Sequence, residues 1–213
     1  MDVKIYTDIA CPFCYIGKKN FEKALAEYKT DEKINIEYAS YELDNQAPKE
    51  PQKNIYEVLA AKHEQPMEEI ERMVSHIVEQ GKISDIEFNM DKVIPANTRD
   101  AHRLLKLSYE FGLEEGVLES LYRAYFTEGK NVSDKDVLLE IAKANGMPEV
   151  PAKEVINDPS LFLENVIGDF NMAKVNKVRT LPYYIFDDKF AISGAREPRH
   201  YTIALNKTLM PEE

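Results

Sequence analysis

The chain has 213 residues, 44% of them hydrophobic, and a formal charge of −11, which suits one large globular domain or a domain with a sizeable insertion. An acidic surface repels phosphate backbones, so nucleic acid is not expected as a partner. No window approaches the ~18 apolar residues of a membrane span, and the first residues carry charges where a signal peptide needs an apolar run. These features predict a soluble, cytoplasmic protein with no membrane contact.

Residues 3–8, VKIYTD, are rich in β-formers and predict a strand. From Tyr15 the period changes: Phe21, Ala24, Leu25 and Tyr28 recur at helical spacing. In KINIEYAS, Ile34, Ile36 and Tyr38 alternate as in a second strand. The middle of the chain then reads as helices. NIYEVLAAKHE and the stretch from Pro66 are helical, another helix starts near Asn97 and stops at Gly112, and a further one closes on Gly129. Ser133 with Asp136 three residues on has the form of a capping box, with the stop at Gly146. That is about 80–100 residues of helical hairpins, too long for a loop.

Towards the end, Asp158-Pro159 has the form of an N-cap and a first-turn proline, with Phe162, Val166, Phe170 and Ala173 continuing the helix. Tyr183–Phe186 and Lys189–Ser193 read as a hairpin around Asp187-Asp188, and a closing helix begins near Glu197 or Pro198. Tyr183 and Tyr184 alternate across the strand, one of them inward. The order is β–α–β, a helical block, then α–β–β–α, an α/β fold with helices on both faces of one sheet. The expected divisions are 1–46, 47–150 for the inserted helical domain, and 151–213.

The chain has two cysteines, and both fall in Cys11-Pro12-Phe13-Cys14 at the first strand-to-helix junction. A closed zinc site needs four ligands, but there is no second cysteine pair, and His63, His76, His102 and His200 lack finger-type spacing. Two buried thiols acting as small hydrophobes is the plain alternative. A redox dithiol fits better, because disulfide exchange needs an attacking sulfur and a second one within reach to resolve the mixed disulfide. With Cys11 at the N-cap, Pro12 takes the first helical position, where its missing N–H costs nothing. The free N–H groups and the helix dipole then point at the Cys11 sulfur, and Cys14 lies one turn in.

Cys11-Pro12-Phe13-Cys14 opening a helix, a helical block inside the βαβ/αββα frame, and Leu181-Pro182 ahead of a strand together resemble the DsbA-like thioredoxin superfamily. CPFCYIGKKNFEKAL, NTRDAHRLLKLSYEFG and YFTEGKNVSDKDVLLEIAKANG resemble its FrnE-like branch, related to 2-hydroxychromene-2-carboxylate isomerases and kappa-class glutathione transferases. The resemblance implies a thioredoxin-like fold with a large all-helical insertion. By position it implies Cys11 as the exposed nucleophile, Cys14 as the resolving thiol and Pro182 as a cis-proline facing them. The backbone of Leu181 would pair with an extended substrate segment, and Phe13 and Tyr15 would form an apolar rim. Asn97, Thr98 and His102 match the branch phrase, their ordinary reading being a helix cap and a polar residue within the helix.

The expected activity is thiol–disulfide exchange, extending to disulfide isomerisation, on protein or small-molecule disulfide and thiol substrates, glutathione among them. It needs no organic cofactor and no metal. The alternatives are a glutathione-dependent transferase or isomerase, against which the presence of both cysteines weighs, and a redox-switched protein-binding module. Phe13 offers neither a hydrogen bond nor a cation to a thiolate. A redox titration against glutathione is therefore expected to return a less oxidising potential than that of a dithiol with a histidine between its cysteines.

Overall fold

The computed structural model describes residues 1–209. Its elements are β1 (Asp2–Thr7), α1 (Pro12–Glu27), β2 (Asn35–Ser40), α2 (Ile55–His63), α3 (Met67–Ile83), α4 (Arg99–Ser108), α5 (Glu114–Arg123), α6 (Lys135–Ala144), α7 (Glu149–Asn157), α8 (Leu163–Val175), β3 (Tyr183–Phe186), β4 (Phe190–Ser193) and α9 (Pro198–Leu209). The four strands form one sheet in the order β2-β1-β3-β4. β1 and β2 run parallel, from Asp2 opposite Asn35 to Thr7 opposite Ser40. A parallel pair needs a crossover, and α1 is that crossover. β3 lies antiparallel on the other side of β1. The β3–β4 turn has Asp187 and Asp188 both at positive φ, 44° and 55°, as a tight hairpin turn requires.

Alternation along the central strands divides the core into two layers. On one face Tyr184 and Phe186 meet Phe21 of α1 and Tyr201 of α9, with Phe21 ring centroids 5.5, 6.2 and 5.4 Å from those of Tyr184, Phe186 and Tyr201. On the other face α8 closes the sheet: Asn176 donates to the Tyr6 hydroxyl at 2.9 Å, and the Ser40 N–H donates to Asp169 at 2.6 Å. The helical block packs on the outer side of α1. There Tyr15 stacks on Tyr122 of α5 at 4.8 Å and 11°, and Glu119 accepts from the Tyr15 hydroxyl and pairs with Lys19, both at 2.7 Å.

Two expected caps lie elsewhere. Asp134, not Ser133, caps α6, accepting from the N–H groups of Asp136 and Val137. The Ser133 hydroxyl instead donates to the Lys49 carbonyl at 2.8 Å, a long-range bond that displaces the local one. Asp158 ends α7 rather than starting the next helix, and its carboxylate accepts from the Ser160 N–H and hydroxyl. The reason is Arg103, 1% exposed, whose guanidinium donates to the carbonyls of Val155, Asp158 and Leu161. That clamp holds the 158–162 segment as a turn, with Phe162 at φ 60°. α7 packs against α4 and α6, so it joins the helical block.

α1 approaches β3 so closely that only glycine fits at position 17. A Cβ there would lie 2.8 Å from both Pro182 Cγ and the Tyr184 hydroxyl. Gly17→Ala is expected to cost about 1–3 kcal/mol by overpacking, read as a lower urea midpoint at an unchanged slope.

Candidate active site

The first turn of α1 is built as the strand-to-helix reading predicts. Cys11 is the N-cap, in extended backbone at φ −99° and ψ 107°, with Pro12 in the first helical position. The Cys14 N–H donates to Cys11 Sγ at 3.3 Å, and the Cys11 N–H donates back to the Asp8 carbonyl at 3.1 Å. Both cysteines are free thiols.

The two sulfurs occupy different surroundings. Cys14 is 2% exposed, one turn into the helix. Burial, and then the neighbouring Cys11, push the Cys14 thiol well above the ordinary cysteine range, so it is protonated at neutral pH. Cys11 is not exposed by area, at 4%, because α2 and α3 roof it over. It opens instead on an apolar cleft of ≈ 390 Å³, large enough for a small molecule or a peptide side chain. Ile55, Val58 and Leu59 of α2, Met73 and Ile77 of α3, and Tyr125 form an apolar part of its wall.

Phe13, 39% exposed, stands between this cleft and a polar groove of ≈ 340 Å³ lined by Asn20, Lys23, Arg196 and His200. It lines both. Tyr15 lines neither: it is 4% exposed, its ring stacked on Tyr122 and its hydroxyl bound to Glu119. It belongs to the seam between α1 and α5, because the helical turn from Cys14 carries it towards the block rather than towards the opening. The Leu181-Pro182 peptide bond is cis, and Pro182 abuts Gly17 one turn beyond Cys14. The Pro182 carbonyl is engaged by the Gly194 N–H at 2.8 Å.

Asp8 is the site residue that periodicity does not find. It is 1% exposed and forms part of the cleft floor beside Cys11. Its carboxylate accepts from the Thr98 hydroxyl at 2.8 Å and the Leu43 N–H at 2.7 Å, and lies 3.2 Å from Nε2 of the fully buried His102. His102 is thus no surface polar residue of α4 but the partner of a core carboxylate. Its Nδ1 has no hydrogen-bond partner among the described residues. The available signal was an acid between Thr7 and Ile9, where a strand runs into the core.

A family model described as DSBA-like thioredoxin domain matches residues 2–206. The chain belongs to that family. The crystal structure of a probable DsbA oxidoreductase, SCO1869 from Streptomyces coelicolor, superposes on the DSBA-like chain with a TM-score of 0.93 at 29% identity, covering 100% of this chain and 93% of that one. An uncharacterized protein of Bacillus subtilis, YwbO, is 25% identical over 161 residues, 72% of this chain and 70% of its own length. A 2-hydroxychromene-2-carboxylate isomerase shares the fold at a TM-score of 0.67 and 15% identity, over 97% of this chain and 95% of that one.

The Asp8 carboxyl titrates below its ordinary value: burial opposes ionisation, but His102, the Leu43 N–H and the Thr98 hydroxyl together outweigh it. A depressed folded pKa adds stability above the ordinary carboxylate range, and that stability fades as pH falls through the folded value. Asp8→Asn is therefore expected to lower stability by roughly 1–3 kcal/mol at neutral pH. The gap to the wild type should narrow below about pH 4 in urea unfolding series at stepped pH.

Proposed function

We propose that the chain is a thiol–disulfide oxidoreductase acting on protein or small-molecule disulfides through Cys11 and Cys14. The observation that carries this reading is the donation of the Cys14 N–H to Cys11 Sγ at 3.3 Å, with Cys14 buried one turn deeper and held as a thiol. One sulfur lies at a helix N-terminus on an open cleft, and the other is shielded and adjacent.

In the reductive direction the Cys11 thiolate attacks a substrate disulfide. One substrate thiolate leaves and a mixed disulfide forms at Cys11. Cys14 then loses its proton and attacks the Cys11 sulfur, releasing the second substrate thiol and leaving the Cys11–Cys14 disulfide. A reducing thiol pool such as glutathione returns the pair to the dithiol form. Oxidation of a substrate dithiol is the same sequence reversed, and isomerisation is attack by Cys11 followed by return of the mixed disulfide to the substrate. The Leu181-Pro182 segment provides the docking edge beside the sulfurs, and the apolar cleft receives the part of the substrate next to its disulfide. No metal or organic cofactor takes part in these steps.

Cys11→Ser is expected to abolish reduction of insulin by a thiol donor, while Cys14→Ser accumulates mixed disulfides detectable by mass. Full activity in Cys11→Ser would refute the assignment. Calorimetry with reduced glutathione separates the transferase alternative: tight stoichiometric binding that survives Cys14→Ser would favour it instead.

A further inference from the structure

The cleft that Cys11 lines gathers apolar side chains that the core leaves uncovered. Phe13 and Leu43 are 39% and 42% exposed, and Ile55, Val58, Leu59 and Met73 are half-buried. All six line the same cavity of ≈ 390 Å³ as Cys11. Apolar area left open to water beside a reactive sulfur becomes binding energy when an apolar group covers it.

The polar side chains of this wall are fewer, and the inner ones are engaged. The Asp8 carboxylate accepts from the Leu43 N–H and the Thr98 hydroxyl, and the Asp44 carboxylate accepts from the Gln46 N–H at 3.0 Å. Lys62 and His63 belong to the last turn of α2, and both are exposed. A polypeptide entering the cleft would bring an N–H and a carbonyl with almost every residue, and each one buried without a partner is costly. Glutathione has the same disadvantage, with carboxylates, an ammonium and amides close to its sulfur. An alkyl or aryl group has none of them.

We propose that the disulfide selected at Cys11 is a small apolar one, with alkyl or aryl groups beside the sulfur and no amide or charge, and that α2 and α3 form the wall that selects it. This rests on the oxidoreductase reading and narrows its substrate class. The Cys11 thiolate attacks one sulfur of the apolar disulfide, and the first apolar thiolate leaves and takes a proton from water. Cys14 then loses its proton and displaces the second thiolate from the mixed disulfide. The substrate is reduced to two thiols as the dithiol becomes the Cys11–Cys14 disulfide. The apolar group held in the mixed disulfide is the one that the cleft covers.

Symmetrical n-alkyl disulfides from ethyl to butyl test this on the pre-reduced full chain, since each methylene adds burial while the exchanging sulfurs stay alike. Formation of the Cys11–Cys14 disulfide is timed by acid quench, thiol alkylation and intact mass. Its rate is expected to rise about tenfold from diethyl to dibutyl disulfide, with no such rise when dithiothreitol replaces the protein. Leu59→Asn on α2 and Met73→Gln on α3 are each expected to cut that gain below about threefold. With every rate divided by that of dithiothreitol, dibutyl disulfide should outpace glutathione disulfide by about tenfold or more. It should outpace the disulfide of a short leucine-flanked cysteine peptide by a similar factor. A flat series in the wild type, or a gain that survives in both variants, would overturn the proposal. So would a peptide or glutathione disulfide that outpaces dibutyl disulfide on the same scale. A wild type whose cysteine pair is oxidised by none of these disulfides would instead overturn the dithiol reading beneath it, a distinct result.

Discussion

The first two turns of α1 are gripped from two sides, and the placement of both sulfurs depends on that grip. Towards the sheet, Gly17 lets the helix close on Pro182 and Tyr184 at a distance that admits no side chain. Towards the helical block, Tyr15 stacks on Tyr122 and Glu119 gathers the Tyr15 hydroxyl, Lys18 and Lys19. An aromatic pair of this kind contributes about 0.5–1.5 kcal/mol beyond the area it buries. Burial raises the cost of a charged Glu119, yet Lys19, Lys18 and the Tyr15 hydroxyl hold its carboxyl below the usual range. The inserted block is therefore not an appendage. It supplies one jaw of the clamp around the dithiol, and the roof of the cleft that Cys11 lines.

The different surroundings of the two thiols follow from their depth in the first helical turn. A sulfur at the N-cap accepts from backbone N–H groups and meets the positive end of the helix. A sulfur one turn deeper meets a protein interior that disfavours its charge. The same junction brings a charged group into the core, since Asp8 lies between the strand and the cysteines and remains ionised because four donors or ring nitrogens converge on it. The floor of the site is thus polar while its walls are largely apolar, and the Asp8 carboxylate in that floor is paired.

Local signals in the sequence were sufficient wherever a local interaction decides the structure. The Cys-Pro-Phe-Cys turn, the Asp187-Asp188 hairpin, the glycine stops and the start of α9 at Pro198 all rest on backbone geometry that neighbouring residues impose. Distant contacts prevailed elsewhere. Ser133 gave its hydroxyl to Lys49 rather than to its own helix, and Arg103 turned the Asp158 segment into a helix end. Tyr15 was placed by a partner over a hundred positions along the chain, as its bond to Glu119 shows. The Asp8–His102 pair joins β1's exit to α4 across 94 positions. No periodic pattern records such a pairing, because each residue alone reads as an ordinary polar group.

α2 contains no fully buried residue, although Ile55, Val58 and Leu59 form an apolar face at helical spacing. That face is turned to the cleft, so these side chains are half-covered by the cavity they line rather than by a core. Substitutions there alter the shape of the chamber while leaving the sulfur-bearing turn, the sheet and the Asp8 floor untouched. One wall of the chamber and the two sulfurs thus reside on separate stretches of chain. A lineage can retune the shape of the chamber without disturbing the turn that holds the cysteines.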